Sequence, residues 1–544
     1  MLLSALEVPE TAPLEAQYGA QLAWSTGSRA TIALAQEWLR SCLLSHVACV
    51  DQKKTTAFTR KLPSRLIKLG SDEPYIVNTS DLAYDTAYLT LSHMWEDAQF
   101  LMLLSANIDQ LRVAIPSEGL SQTHRDALSI TRSLGYDYIW IDSLCIIQDS
   151  SSDWRSQAAL MASVYGNSSC TIAAASGTGE GCFIIRNPLM QRACRLTEGI
   201  STQDSGVYAH PYHSSRWGDY SNRYYINNPI LKRAWIQQER ILSPRILYFG
   251  SEELHWECCS LQASESWPGG QPNPEHGHDY VYPLKAAFAT QLKPYRDWDF
   301  DDYHAFIYEL WHYGIFEAYT RAELTYEKDR LVALAGIAEV IQHKTGMTYA
   351  AGLWRELMPA ELLWMNGEAP KPGQTHLTDM PWQAPSWSWT SSTGYKRHDV
   401  GAFWKVLRTD DMIYVSRILA CVVNPLVNED QVLGEVVGGT ITVTGFLVRL
   451  PRTGVIDDRG ARGHVRFDID VSKFDELFHL CLLRFRDGEG RAANEGLILT
   501  RMEGQGQSAE GEEYYVRVGV FVGSYLLESG CVFDGLEEVC VNIH

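Results

Sequence analysis

The strongest pattern of apolar and polar positions runs from Tyr136 to Tyr165. Tyr138-Ile139-Trp140-Ile141 is a short unbroken apolar run, as expected of a central strand buried on both faces, and it stops on Asp142-Ser143. A Ser/Asp cluster, Ser150 to Asp153, then leads into a helix on which Trp154, Ala158, Met161 and Tyr165 recur at helical spacing. Upstream, Tyr88 to Ser92 is a second β-prone run that ends at His93-Met94-Trp95-Glu96. Between the two, a helix is predicted from about Ser121 to Leu134, with Gly135 as its C-cap. Downstream, Ser169 to Ala175 is a third short run before the glycine-rich Gly177 to Gly181, read as a tight turn. The alternation β-α-β-α-β is the crossover pattern of a parallel sheet. In such a sheet the C-terminal strand ends share one edge, which would gather His93, Trp95, Glu96, Asp142 and Ser143.

Around this centre the pattern changes character. Thr31 to Leu44 fits an amphipathic helix, and Leu62 to Val77 fits two short strands turning at Gly70 to Glu73, so residues 1–80 read as an adaptor segment. Lys232 to Leu242 reads as a short helix carrying the polar knot Gln238-Glu239-Arg240, followed by a hairpin of Arg245 to Phe249 with Leu254 to Cys258. That knot is either a second wall of the site or a hydrogen-bonded network tying the helix to the sheet. Ser264 to His278 is the candidate linker, Tyr303 to Ile341 and Ala350 to Trp364 are predicted helices, and Pro385 to Trp389 is an aromatic turn. Beyond about Met412, alternating runs separated by Gly/Asp/Glu loops predict a β-rich lobe. The expected divisions are 1–80, 81–262, 263–410 and 411–544.

Composition narrows the function. At 544 residues the chain is long enough for two or three cores. Its net charge of −20 argues against general binding to nucleic acid or anionic membrane. No apolar run approaches the roughly 20 residues of a membrane helix, and Met1 to Arg40 lacks a signal-peptide pattern. The 12 cysteines include no C-x-x-C pair, which predicts reduced thiols in a cytosolic or nuclear protein, with the cytoplasm the expected location. Cys258-Cys259 near His255 has no second ligand pair at zinc-like spacing, so no metal site is expected. Cys145, with no basic neighbour in sequence, reads as a buried structural thiol rather than a nucleophile.

Three blocks resemble the fungal heterokaryon-incompatibility (HET) domain family: Leu89 to Trp95, Thr123 to Tyr165 with its LGYDYIWIDSLCIIQD core, and Arg233 to Arg240 with Leu242-Ser243 and Arg245. Leu324-Thr325, Asp329-Arg330-Leu331, Gly352 to Trp354 and PSWSW are similar to the tail of long members. The resemblance implies a flavodoxin-like α/β core similar to TIR domains, and a role in non-self recognition and cell death. It also implies, as an activity found in some TIR domains, hydrolysis of NAD, with NAD as substrate and no cofactor required. The chain departs from the family at Glu96, where Gly is usual, and at Gln157, where Glu is usual; an amide cannot titrate. Two alternatives stand beside the hydrolase reading: a tailoring cyclase, dehydratase or isomerase acting on a fungal metabolite, and a non-catalytic interaction module. Glu96, Asp142, Glu239 and His93 are the candidate catalytic groups. Trp95, Ser143, Trp235, Gln238, Arg233 and Arg240 are the candidate substrate contacts. The expected partner is a small molecule, with a homo-oligomer left open.

Overall fold

The first of the chain's two units, Met1–Gln291, is built on an eight-stranded mixed sheet. Its main elements are α1 (Arg29–Ser45), β1 (Arg65–Lys68), β2 (Tyr75–Asn78), β3 (Leu89–Ser92), α2 (Gln122–Ser133), β4 (Tyr138–Trp140) and α3 (Ser151–Asn167). They continue with β5 (Cys170–Ala174), α4 (Trp235–Leu242), β6 (Arg245–Phe249), β7 (Leu254–Cys258), β8 (Gln262–Ser264) and α5 (Leu284–Thr290). The computed structural model describes residues 23–49, 61–70, 73–95, 100–176, 181–186, 194–195, 208–209, 229–265, 267–270, 284–299, 302, 305–369, 384–398, 413–425, 436–451, 463–486, 492–501, 513–523, 526–527, 530–531, 533 and 535–544. Glu96, most of the 177–181 glycine loop and the 271–278 part of the expected linker lie outside them.

The sheet order is β8-β7-β6-β5-β3-β4-β1-β2. Its four middle strands run parallel, with Leu89 opposite Ile139 and Cys170, and Thr171 opposite Ile246. The predicted neighbours β3, β4 and β5 are therefore parallel neighbours, with α2 and α3 in the crossovers. Each helix begins where the sequence supplies a cap: Ser121 Oγ accepts from the His124 amide, and Ser150 Oγ from that of Asp153. The strands are apolar because both faces are covered; Leu89, Leu91, Ile139, Trp140, Ile172 and Leu247 are all fully buried. The strand pair predicted between Leu62 and Val77 forms as β1 and β2. It is built into the same sheet, since β1 pairs antiparallel with β4. The predicted 245–258 hairpin forms as β6 and β7.

The second unit, Leu292–His544, begins helically, with a π-helix at Ala305–Glu317 and an α-helix, α6 (Val332–Thr345). The helix predicted over Ala350 to Trp364 is not present. Tyr349–Ala350 pairs with Leu353–Trp354 as a minimal hairpin, and two 3-10 turns follow. Ala351 and Gly352 adopt φ of 45° and 99°, which reverses the chain, and a Cβ at Gly352 would strike the Trp389 indole. Trp389 belongs to the aromatic turn and donates its indole N–H to the Gly352 carbonyl at 2.8 Å, fixing that reversal.

The β-rich end forms as expected. Its strands β9 (Val436–Pro451), β10 (Glu476–Arg486), β11 (Ala492–Arg501), β12 (Tyr514–Gly523) and β13 (Val539–Ile543) pair in the order β10-β11-β12-β13-β9. β9 pairs back on β10, which closes a barrel whose joints are antiparallel except between β12 and β13. Inside the unit, Arg517 and Asp468 form a fully buried ion pair with N···O of 2.8 Å, and the guanidinium lies 3.4 Å from the Trp364 ring centroid.

Candidate functional site

His93 follows directly on β3, and Asp142 follows β4 by two residues, so the parallel pairing brings the two to one sheet edge. Asp142 Oδ1 accepts the Ser143 amide at 2.7 Å and lies 3.8 Å from His93 Nδ1. Asp142 Oδ2 accepts the Trp95 indole N–H at 3.0 Å. The carboxylate thus both caps the turn that follows β4 and holds a tryptophan that is 43% exposed. His124, from the first turn of α2, has Nε2 3.3 Å from Ser143 Oγ, and its ring meets that of His93 edge-on at 5.2 Å. Phe100 fills the space between the Trp95 and His124 rings, at 5.9 and 5.5 Å.

The other side comes from α4 and the residues before it. Arg233 donates to the His93 carbonyl, and Glu239 is buried close enough to feel the charges of Arg233 and Asp142. Burial pushes the Glu239 carboxyl up. Arg233 and the hydroxyls of Ser92 and Tyr165 pull it down, while Asp142 pushes it further up. Burial also lowers the pKa of His93, with Asp142 opposing and Arg233 adding to the effect. His124 is brought down to about 3, by burial and then by His93, so both imidazoles are neutral at pH 7. Both ring nitrogens of His93, His124 Nδ1 and Glu239 Oε2 have no hydrogen-bond partner among the described residues. Buried polar atoms without partners are costly, and four in one small cluster suit a site that receives a ligand.

Asp142, His93, Trp95, Ser143, Arg233 and Glu239 are thus brought together. Of the remaining candidates, Arg240 is drawn into a second buried network with Glu257, Trp235 packs against the core, and Gln238 is buried on α4. His124, Ser92 and Tyr165 escaped the sequence reading. His124 carries no local signal beyond its place at the start of a helix whose first turn meets the strand edge. Cys145 is buried and its thiol is pushed up to about 12, by burial above all, as befits a structural group. Gln157 is also buried, with its amide donating to Ser64 Oγ at 2.9 Å.

Two groups of metal-capable side chains occur among the described residues, and neither includes this cluster. One is Cys42, His46, Cys49 and Cys258; the other is His312, Glu361 and His398. A cleft of about 410 Å³ in the second unit is lined by Tyr319, Arg321, Leu324, Arg330, Trp389 and Tyr395, among others.

Fold and cluster together define an α/β protein with a polar site at the C-terminal edge of parallel strands. Residues 88–239 match the model of the family described as heterokaryon incompatibility protein (HET). The match begins at Tyr88 and ends at Glu239, so every residue of the strand-edge cluster falls inside it. No curated protein and no solved structure matches the chain. No helix among the described residues is long and apolar enough to cross a membrane.

Proposed function

We propose that this is a protein of heterokaryon-incompatibility type whose α/β unit is an acid/base enzyme, and that it cleaves the nicotinamide–ribose bond of NAD. The observation that carries the reading is the convergence of Asp142, His93 and Glu239, from three separate stretches of the chain, on one strand edge. The parallel strands run β4-β3-β5-β6, so the chain turns one way from β3 to reach β4 and the other way to reach β5. Such a reversal opens a crevice at the strand ends, and this second-first-third-fourth order is the one used by flavodoxin-like nucleotide binders. Trp95 offers an exposed indole for stacking a planar cationic ring, and the carboxylate it holds, Asp142, stands beside it to stabilise an oxocarbenium-like ribose. Glu239, kept toward its neutral form by burial, serves as a proton donor or hydrogen-bond donor to the sugar.

The test is incubation of the purified chain with NAD, following free nicotinamide. Release that disappears in Asp142→Asn supports the reading, and absence of release from folded wild-type protein refutes it. One observation favours a second reading. His93 is neutral, buried and 3.8 Å from Asp142, the arrangement of a proton-transferring dyad for isomerisation or cyclisation of a fungal metabolite. Wild-type protein that turns over such a metabolite but leaves NAD intact would establish that alternative. The ten cysteines whose side chains are described are free thiols, in keeping with a cytoplasmic location.

A further inference from the structure

The chain also carries a set of thiols that the strand-edge site does not use. Cys42 and His46 lie one turn apart at the C-terminal end of α1, and a tight turn, closed by the Cys49 amide on the His46 carbonyl at 3.1 Å, brings Cys49 back beside them. The fourth member is Cys258, the last residue of β7, 212 positions away from His46 in the chain. The sulfur atoms of the three cysteines and one ring nitrogen of His46 all lie within 4.8 Å of one another. His46 Nδ1 is 3.4 Å from Cys258 Sγ. With Zn–S of about 2.3 Å and Zn–N of about 2.0 Å, a tetrahedral site places S and N ligands about 3.5 Å apart and S and S ligands about 3.8 Å apart. The His46–Cys258 separation matches the S–N value, and the remaining pairs, all inside 4.8 Å, leave the four atoms close enough to share one ion. The three cysteines are buried and His46 half-buried.

A second observation concerns charge. Arg245, which is 1% exposed, donates its Nε–H to Cys42 Sγ at 3.0 Å and one further N–H to the Ser169 carbonyl. No carboxylate pairs with Arg245 among the described residues. A buried guanidinium without a counter-ion is expensive, and a neutral thiol is a poor acceptor for it. Three thiolates and one imidazole around Zn²⁺ carry a net charge of −1, which one guanidinium neutralises. The negative end of the α1 dipole also faces the ligand set, which favours a cation there.

We propose that Cys42, His46, Cys49 and Cys258 bind one structural zinc ion, with Arg245 as the charge-balancing group behind Cys42. The ion fastens the end of α1 to β7, adding to the contact that Trp38 makes with Trp256 at 6.3 Å. Binding displaces the three thiol protons, so it weakens as pH falls. Three of the ligands stand at short spacing, Cys42-x3-His46-x2-Cys49, but the fourth, Cys258, lies more than 200 positions away, so a search for a second pair beside Cys258-Cys259 passes over the site.

The experiment uses the full chain, expressed with zinc and purified under reducing conditions without chelator. The expected result is about one zinc per chain by mass spectrometry of metals. Cobalt exchanged into the site should give tetrahedral ligand-field bands and a thiolate-to-cobalt charge-transfer band. Cys49→Ser and Cys258→Ser should lose the metal, His46→Cys should keep it with an added thiolate signature, and Cys540→Ser, in the second unit, should leave it unchanged. Arg245→Gln should weaken zinc binding roughly 10- to 100-fold, as loss of an outer-shell partner does. If a cysteine variant fails to fold, the cobalt spectrum of the wild-type chain still decides the matter. Folded wild-type protein that holds no zinc and gives no thiolate-to-cobalt band overturns the proposal. So does metal retained in both cysteine-to-serine variants, or a disulfide between any two of the three cysteines.

Discussion

Removing one partner of the buried pair between Arg240 and Glu257 should destabilise the first unit by a measurable amount. Arg240 Nε and Nη2 each donate to a different Glu257 oxygen at 2.9 Å, and the Tyr248 hydroxyl adds a third bond at 2.7 Å. Lys285 is buried beside them, donating to the carbonyls of Arg240 and Ser243, and is itself drawn down in pKa by burial, with Glu257 opposing. Burial alone would push the Glu257 carboxyl up, but Arg240, then Lys285 and Tyr248, outweigh it and hold the group at about 2. Against an ordinary value of 4.5, that corresponds to about 3 kcal/mol at roughly 1.4 kcal/mol per pH unit. Because the folded value is depressed, this stability is present above pH 4.5 and is lost as pH falls from there toward 2. Glu257→Gln strands two buried cations, so at pH 7 the first unit is expected to lose about 3–5 kcal/mol, or roughly 6–20 °C of Tm. Urea titration read through hydrogen exchange of β6 and β7 peptides assigns the loss to this unit. Replacing both partners, as Arg240→Met with Glu257→Leu, should cost less than Glu257→Gln alone. A loss below about 1 kcal/mol at pH 7, or an equal fall of wild type and variant on acidification, would show that the pair does not carry this energy.

Four further outcomes follow from the geometry. Asp142→Asn should lower turnover by about 10²–10⁴-fold with little change in Tm, because its carboxylate is partly solvated and an amide oxygen can still accept from Trp95; kinetics and melting on one preparation check this. Glu239 has the opposite sign to Glu257: its raised carboxyl favours the fold at low pH, and that contribution is lost as pH rises through the folded value. Glu239→Gln should therefore melt no lower than wild type at high pH, while turnover disappears; melts across about pH 5–9 test it. Gln157→Glu should lower Tm without raising activity, since the new carboxylate is buried beside a single serine hydroxyl. In the second unit, Arg517→Met should cost about 3–5 kcal/mol by leaving Asp468 buried and unpaired, measured by denaturant unfolding.

The fold was legible where burial on both faces writes itself as an unbroken apolar run. Tyr138 to Ile141 and Tyr88 to Ser92 could hardly be anything but inner strands, and serines at 121 and 150 mark the helix starts. Residues 350–364 show how the same reasoning fails. Leu353, Trp354, Leu357 and Leu362 have near-helical spacing, yet they are buried from short turns packed in an aromatic cluster. The backbone reversal at Ala351 and Gly352 is set by contacts with Trp389, and no local pattern shows those. Tertiary packing overrode a periodicity that was accidental.

The site divides in the same way. Strand ends can be aligned from sequence once the sheet is known to be parallel, so His93 and Asp142 were predictable as neighbours. Helix faces could not be assigned. Gln238, Glu239 and Arg240 form one polar block in sequence, but consecutive residues on a helix diverge by about 100°, so a block cannot act as a unit. Glu239 joins the strand edge, where Arg233 and Asp142 act on it, while Arg240 enters the Glu257 network. The two sequence readings of that block, site wall and structural network, therefore separate by residue: Arg240 enters the network, and Glu239 lies beside the strand edge. The division has a functional consequence. Arg240 pairs with Glu257, whereas among the described residues the Arg233 guanidinium acts on Glu239 and His93, from just before α4 and while bonded to the His93 carbonyl. Any shift of α4 relative to β3 would move Arg233 and Glu239 together, changing the protonation of the acid and the setting of the imidazole in a single step.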